Sequence, residues 1–242
     1  MAAIRTLVVG DGRMGTLVLE ALRADDAFEP VGMVGLEAMG DLVSGAAPAA
    51  DLAIDFSNKG MLPALAAYVE REGCALLTGT TGLDDADMAT LGRLAARVPV
   101  VHSANYSLGV AVLRRLAAEA SRLLAGWDVE IVETHHNRKV DAPSGTAMAL
   151  LAAVDPEGAR PVRHGREGMV GERPAGEIGM HAVRGGTVAG THELHLFGED
   201  EEVCLTHRAT SRRIFVAGAV ACARRLVEAG PGLHAFDELM LS

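Results

Sequence analysis

Over roughly the first hundred positions, short apolar runs rich in β-branched residues alternate with alanine- and leucine-rich amphipathic stretches, a pattern that predicts parallel strands joined by helices. Ile4–Val9 is expected as a strand, Gly10–Gly15 as a turn and Met14–Arg23 as a helix, with further strands at Val31–Val34, Leu52–Phe56, Leu76–Thr78 and Val98–His102. The fold class this implies is α/β, a Rossmann-like doubly wound parallel sheet. From Trp127 the pattern changes. Val129–Thr134 is an apolar strand, a helix starts at Thr146, and His164–Gly176, rich in Gly and Arg, is too polar for a core element. Ile178–Val183, Val188–Phe197 and Glu202–His207 are three strand-like runs separated by Arg-Gly-Gly and Gly-Glu-Asp turns, which predicts a meander. The second domain is therefore expected to be α+β with a mostly antiparallel open sheet. Leu108–Leu124 and Thr146–Ala153 supply its one helical layer, so the apolar helix Arg212–Ala229 is sent back to the first domain. The expected divisions are 1–105, 106–211 and 212–242. Val188–Phe197 and Val203–His207 look richer in apolar side chains than one helical layer can cover, which predicts an interface through residues 178–207 and a homo-oligomer.

At 242 residues the chain can bury a real core in each domain. A formal net charge of −10, with only eight aromatic residues and no basic stripe, argues against a nucleic-acid surface, leaving a small molecule or another copy of the chain as partner. Cys74, Cys204 and Cys222 lie in apolar runs without CxxC spacing or an upstream signal-peptide pattern, so the expected setting is the reducing cytoplasm. No apolar run approaches the ~18 residues of a membrane-spanning helix, and no membrane association is expected.

Chemistry concentrates in residues 133–147, Glu-Thr-His-His-Asn-Arg-Lys-Val-Asp-Ala-Pro-Ser-Gly-Thr-Ala. Two imidazoles and an amine stand just ahead of a helix start. Lys139 is one of two lysines, with Lys59, against twenty arginines, so this position wants a compact ammonium where the chain otherwise uses guanidinium. Ser144 or Asp141 can cap the following helix, leaving the backbone N–H groups around Gly145 and Thr146 to meet a carboxylate or phosphate. Zinc is the lesser reading. His135 and His136 point to opposite sides of a strand, no cysteine or carboxylate sits at a usual ligand spacing, and no metal is expected.

Gly10-Asp11-Gly12-Arg13-Met14-Gly15 follows a strand and opens a helix, the context that makes this glycine pattern a dinucleotide signal. Glu37, 22 residues beyond Gly15 and just past the second strand, is placed to accept hydrogen bonds from a ribose. Gly79-Thr80-Thr81-Gly82 and Ser103-Ala104-Asn105-Tyr106-Ser107 lie at carboxyl ends of strands, where ligands of open α/β sheets bind.

With these pieces placed, the chain resembles the 4-hydroxy-tetrahydrodipicolinate (dihydrodipicolinate) reductase family almost end to end. The resemblance is carried by HHNRKVDAPSGTA, GDGRMG, IDFS, GTTG, SANYSLGV and the run from REGMVGERPAGEIG through TSRRIFVAGA. It implies a two-domain enzyme, usually tetrameric, that reduces a cyclic dicarboxylate with NADH or NADPH on the path to diaminopimelate and lysine. By position it implies that His135 and Lys139 handle proton and charge, and that His136, Lys139, Gly145 and Thr146 meet the substrate carboxylates. It places Gly10, Asp11, Gly12, Arg13, Met14, Gly15, Glu37, Gly79, Thr80, Thr81, Ser103, Ala104, Asn105 and Tyr106 around the dinucleotide. Where the family commonly has Ala-Pro-Asn-Phe, this chain has Ser103-Ala104-Asn105-Tyr106 and so lacks a fixed φ there. No arginine follows Glu37 before Asp51, which leans the cofactor expectation slightly to NADH. Two other readings stay open: a different Rossmann-type oxidoreductase such as an aspartate dehydrogenase, and a nucleotide-sensing module without catalysis.

Overall fold

Strands β1 (Ile4–Val9), β2 (Phe28–Val34), β3 (Leu52–Asp55), β4 (Ala75–Thr78) and β5 (Pro99–His102) form one wholly parallel sheet in the order β5-β4-β3-β1-β2, extended beyond β5 by the short β11 (Gly232–His234). β3 and β4 are buried at every position, as a parallel sheet covered on both faces requires. The computed structural model describes residues 2–242. It divides into two units, one of residues up to Leu108 together with Arg213–Ser242, the other Gly109–Arg212.

In the first unit α1 (Arg13–Arg23), α2 (Met39–Ser44), α3 (Leu62–Glu72), α4 (Asp85–Ala95), α7 (Arg213–Leu226) and α8 (Phe236–Leu241) accompany the sheet. Leu7, Val9, Leu42, Leu65, Tyr68, Leu76 and Leu91 share one apolar core. Strand order reverses between β1 and β3, so the crevice at their carboxyl ends is the switch point where such sheets bind ligands. β2 starts at Phe28, earlier than its apolar run suggests. It is an edge strand, its pairing with β1 shifts between Thr6 and Leu7, and an edge tolerates Pro30. β11 and α8 are too short to carry a periodic signal.

In the second unit β6 (Asp128–His135), β7 (Val162–Arg163), β8 (Ile178–Arg184), β9 (Gly190–Phe197) and β10 (Glu202–Ala209) form an open sheet in the order β10-β9-β6-β8-β7. The expected meander is corrected here. β8 and β9 do not pair: β6 lies between them, parallel to β8 and antiparallel to β9, and the sheet is mixed. Helices α5 (Leu108–Leu123) and α6 (Gly145–Val154) cover one face, packing Leu113, Ala117, Ala147 and Leu150 on Val129, Ile131, Leu194 and Leu196. Val203 and Leu205 of β10 also face this layer. The surplus of apolar side chains expected on the opposite face is absent, since β9 and β10 present Glu193, His195 and Phe197 and Glu202, Cys204, Thr206 and Arg208 there. Strict alternation assigns the apolar positions to the covered side.

The polar segment 164–176 has no regular structure and is fastened by charge. Arg166 donates twice to Glu130, at 3.1 and 2.7 Å, Arg173 donates to Glu130 at 3.2 Å, and His181 Nε2 adds a contact of 2.6 Å. Burial alone would raise the Glu130 carboxyl, but these donors outweigh it and hold it down at about 2. The opposing residue on β8 is Gly179, where a Cβ would lie 1.7 Å from Glu130 Oε2.

Candidate active site

Alternation along β6 buries Val129, Ile131, Glu133 and His135 on one face, so an apolar stripe becomes a chemical one at the carboxyl end of the strand. Cross-strand register extends it. Glu133 pairs with His192 of β9, which pairs with His207 of β10, while His135 stands opposite Arg184 of β8. The His135 and His192 rings meet edge to face at 5.1 Å.

Glu133 is fully buried and surrounded by donors. His135 Nδ1 lies 2.5 Å from Oε2, Arg184 donates to both oxygens at 2.9 and 2.8 Å, and the Ser144 N–H donates to Oε1 at 3.0 Å. Burial would raise this carboxyl, yet the Arg184 and His135 hydrogen bonds outweigh it and the pKa is lowered. With Nδ1 against a carboxylate, Nδ1 carries the proton and Nε2 is the nitrogen available to a reacting molecule. Gly190 flanks that nitrogen: a Cβ there would lie 3.0 Å from His135 Nε2.

Ser144 caps α6, its hydroxyl accepting from the Ala147 N–H at 3.2 Å and lying 3.1 Å from His192 Nε2. Of the two caps the sequence allowed, the structure uses Ser144; Asp141 instead pairs with Lys139 Nζ at 2.8 Å. Burial first, then the neighbouring His135, pushes His192 down to about 4, so His192 is neutral near neutrality. The first residue of α6, Gly145, is exposed with open space on its Cβ side, and Thr146 follows half-buried. His136 is lowered by partial desolvation, then by Arg212, whose guanidinium lies 3.4 Å from Nε2, and by His135, Arg138 and Lys139. Cationic side chains thus gather around His136, in the segment that leads into the exposed start of α6, in a chain of net charge −10. That suits a small dianion.

The structure brings His135, Glu133, Arg184, Ser144 and His192 into one hydrogen-bonded group, and joins His136 to Arg212. Glu133, Arg184, His192 and Arg212 were missed by sequence reasoning. Only the alternation in β6, which puts Glu133 on the same face as His135, offered a signal. Among the described residues, the group of His, Cys and carboxylate donors close enough to share an ion is His195, Glu202 and Cys204, on the outer face of β9 and β10 rather than at the motif.

In the first unit, Gly12 precedes α1 as its N-cap without a side-chain hydrogen bond, leaving the first-turn N–H groups unclaimed by a cap. Gly10 has φ +101°, and a Cβ there would meet Phe56 O at 2.7 Å. At Gly15 a Cβ would lie 1.8 Å from Gly10 O, while at Gly12 nothing lies within 4 Å. The turn is tight inside and open outside, a cradle that fits a pyrophosphate. Asp11, Arg13 and Glu37 are exposed, and Met14 is half-buried. Gly79 is required by packing as well, since a Cβ would lie 2.3 Å from the Phe56 ring. Thr81 and Ala104 are exposed, Ser103 and Asn105 half-buried. Two side chains face inward: Thr80 Oγ1 donates to buried Asp55 at 2.8 Å, and Tyr106 OH donates to Thr78 O at 2.8 Å, its ring between Phe56 and Phe236. These two can offer a ligand their main chain only.

Residues 4–106 match the family model described as dihydrodipicolinate reductase, N-terminus, and residues 109–240 match dihydrodipicolinate reductase, C-terminus. A 4-hydroxy-tetrahydrodipicolinate reductase of Xanthomonas campestris pv. campestris (strain B100) is 40% identical, with 98% of each chain covered. The protein of the same name from Caldanaerobacter subterraneus subsp. tengcongensis is 36% identical, again with 98% of each covered. Among solved structures, dipicolinate-bound dihydrodipicolinate reductase from Paenisporosarcina sp. TG-14 superposes with a TM-score of 0.78 at 22% identity, covering 98% of this chain and 99% of that one.

Proposed function

The chain belongs to the dihydrodipicolinate reductase family, and from that premise we propose that it reduces 4-hydroxy-tetrahydrodipicolinate to tetrahydrodipicolinate with NADH or NADPH, a step towards diaminopimelate and lysine. The observation that carries the reading is the joining of His135, through Glu133 and Ser144, to the open N-terminus of α6. A different dehydrogenase would have no need of that dicarboxylate site, and a sensing module no need of His135 with Lys139. The test is oxidation of NAD(P)H when the product of dihydrodipicolinate synthase is supplied. Absence of turnover would overturn the reading.

When bound, the reduced nicotinamide supplies the hydride. Hydride adding to one end of the ring's conjugated unsaturation leaves an electron pair and negative charge at the other, and a proton completes the reduction. In this proposal His135, its Nδ1–H held by Glu133, first takes up a proton from solvent at Nε2 and then delivers it from there, and Lys139 stabilises the charge as it develops. His136, Lys139 and the N–H groups of Gly145 and Thr146 hold the carboxylates. The dinucleotide lies along Gly10, Asp11, Gly12, Arg13, Met14 and Gly15, with Glu37 at the ribose; Gly79, Thr80, Thr81, Ser103, Ala104, Asn105 and Tyr106 line the remainder, Thr80 and Tyr106 through their main chain.

Cofactor preference is proposed to be weak with a lean to NADH. Glu37 favours free ribose hydroxyls and repels a 2′-phosphate, while Arg13 at the opening of α1 offsets that repulsion; both are exposed. Exposed charge pairs contribute about 1 kcal/mol, so discrimination of roughly tenfold or less is expected. Glu37→Arg should move the ratio of kcat/KM values towards NADPH and Arg13→Ala towards NADH. Wild-type discrimination of about a thousandfold would mean that other residues read the ribose.

A homotetramer is also proposed, assembled through the second unit. Its support is Phe197, exposed on the side of β9 away from the α5 and α6 layer, together with the tetrameric state that the family resemblance implies. Light scattering at micromolar concentration should give four times the chain mass, and a monomer would contradict the assignment. The unpaired Cys74, Cys204 and Cys222 support a cytoplasmic location, and no helix among the described residues is long and apolar enough to cross a membrane.

A further inference from the structure

We infer that Glu133 is the positioning residue of this site: one buried carboxylate that fixes the tautomer and aim of His135 and ties them to the mouth of α6. The inference rests on the reductase reading for its kinetic consequences and on geometry for the rest. Four hydrogen bonds converge on the two Glu133 oxygens, from His135, from Arg184 twice, and from the Ser144 N–H. Arg184 also donates to Asp141 O at 2.7 Å, so the loop bearing Lys139 is drawn into the same group. Only an ionised carboxylate can accept from all four donors, because an amide offers a single acceptor oxygen and two donors of its own. Arg184 neutralises the buried charge and is why a carboxylate can stand there with 0% of its side chain exposed. Freed from Glu133, the imidazole of His135 would lose its preference for protonation at Nδ1, and the Ser144 N–H would lose the acceptor that holds the first turn of α6.

Steady-state kinetics of wild type, Glu133→Gln, Glu133→Asp, His135→Ala and the Glu133→Gln/His135→Ala double variant test this, with the Kd for NADH as a control on folding. Glu133→Gln is expected to lower kcat by on the order of 10²-fold, and Glu133→Asp to restore at least about tenfold of that loss. Against His135→Ala, adding Glu133→Gln should change kcat by less than about threefold, because a residue acting through His135 has nothing left to act on. Equal fold-losses in both backgrounds, or wild-type kcat in Glu133→Gln, would overturn the role. A readout independent of turnover is the imidazole ¹⁵N spectrum. In wild type His135 should be protonated at Nδ1, and in Glu133→Gln it should shift towards the Nε2–H tautomer. An unshifted spectrum overturns the inference even where the substrate proves to be a different one, whereas a shifted spectrum in a protein without turnover upholds it and removes only the reductase reading.

Discussion

Replacing Lys139 by arginine is expected to lower kcat by on the order of 10²-fold while leaving thermal stability unchanged. The side chain is 21% exposed and its partner Asp141 is 54% exposed, at 2.8 Å. With its carboxylate more than half open to solvent, the pair contributes little to folding. Positive charge as such is not scarce at this place either, because Arg138 and Arg212 stand close enough to His136 to disfavour its protonation. A compact, strongly hydrated ammonium that can approach a single developing charge is what arginine cannot reproduce, its planar fork being larger and fixed in geometry. Losing one donor aimed at transition-state charge typically costs ~3 kcal/mol, which corresponds to about a hundredfold in rate. The check is kcat and KM for Lys139→Arg and Lys139→Ala, together with the inhibition constant of pyridine-2,6-dicarboxylate. A lysine used only to bind the ring would raise KM and that constant with kcat preserved. Near-wild-type turnover of the arginine variant would remove Lys139 from the chemistry.

The contrast between Lys139 and Glu133 shows which parts of the site the sequence could display. Lys139, His135, His136 and the Ser144 cap lie within one short segment, and their chemistry is visible from residue type and spacing alone. Glu133 meets Arg184 across 51 positions and Ser144 meets His192 across 48, so these partners exist only through the register of β6 with β8 and β9. Turn residues between consecutive strand-like runs point to hairpins, and here that inference fails at β8 and β9, because β6 takes the place between them. Nothing local encodes such an insertion. The apolar alternation of β9 and β10 was legible, but which face it served depends on where α5 and α6 pack. Similarly, Thr80 and Tyr106 were correctly set at carboxyl ends of strands, while the inward direction of their side chains follows from Asp55 and from the Phe56 and Phe236 rings.

The glycines of the Gly10–Gly15 turn were read as a pattern, and the structure separates them by what surrounds each, which gives the second large effect. Gly15→Ala should both destabilise the first unit and weaken NADH binding by more than about tenfold, whereas Gly12→Ala should weaken binding alone. At Gly15 the new Cβ would lie 1.8 Å from Gly10 O and 2.8 Å from Gly10 C, both backbone atoms that cannot rotate away as a side chain would. Either the turn opens or the start of α1 lifts. Overpacking of this kind costs roughly 1–3 kcal/mol, several degrees in Tm for a chain of this size. At Gly12 no protein atom lies within 4 Å of a Cβ, so the methyl obstructs nothing but an approaching ligand. Thermal melts with and without NADH distinguish the cases. Gly15→Ala should melt lower and be stabilised less by NADH, and Gly12→Ala should melt with wild type until NADH is added. Gly12→Ala binding NADH as wild type would move the pyrophosphate away from this turn, and Gly15→Ala melting as wild type would show that the Gly10 carbonyl yields more readily than the packing implies.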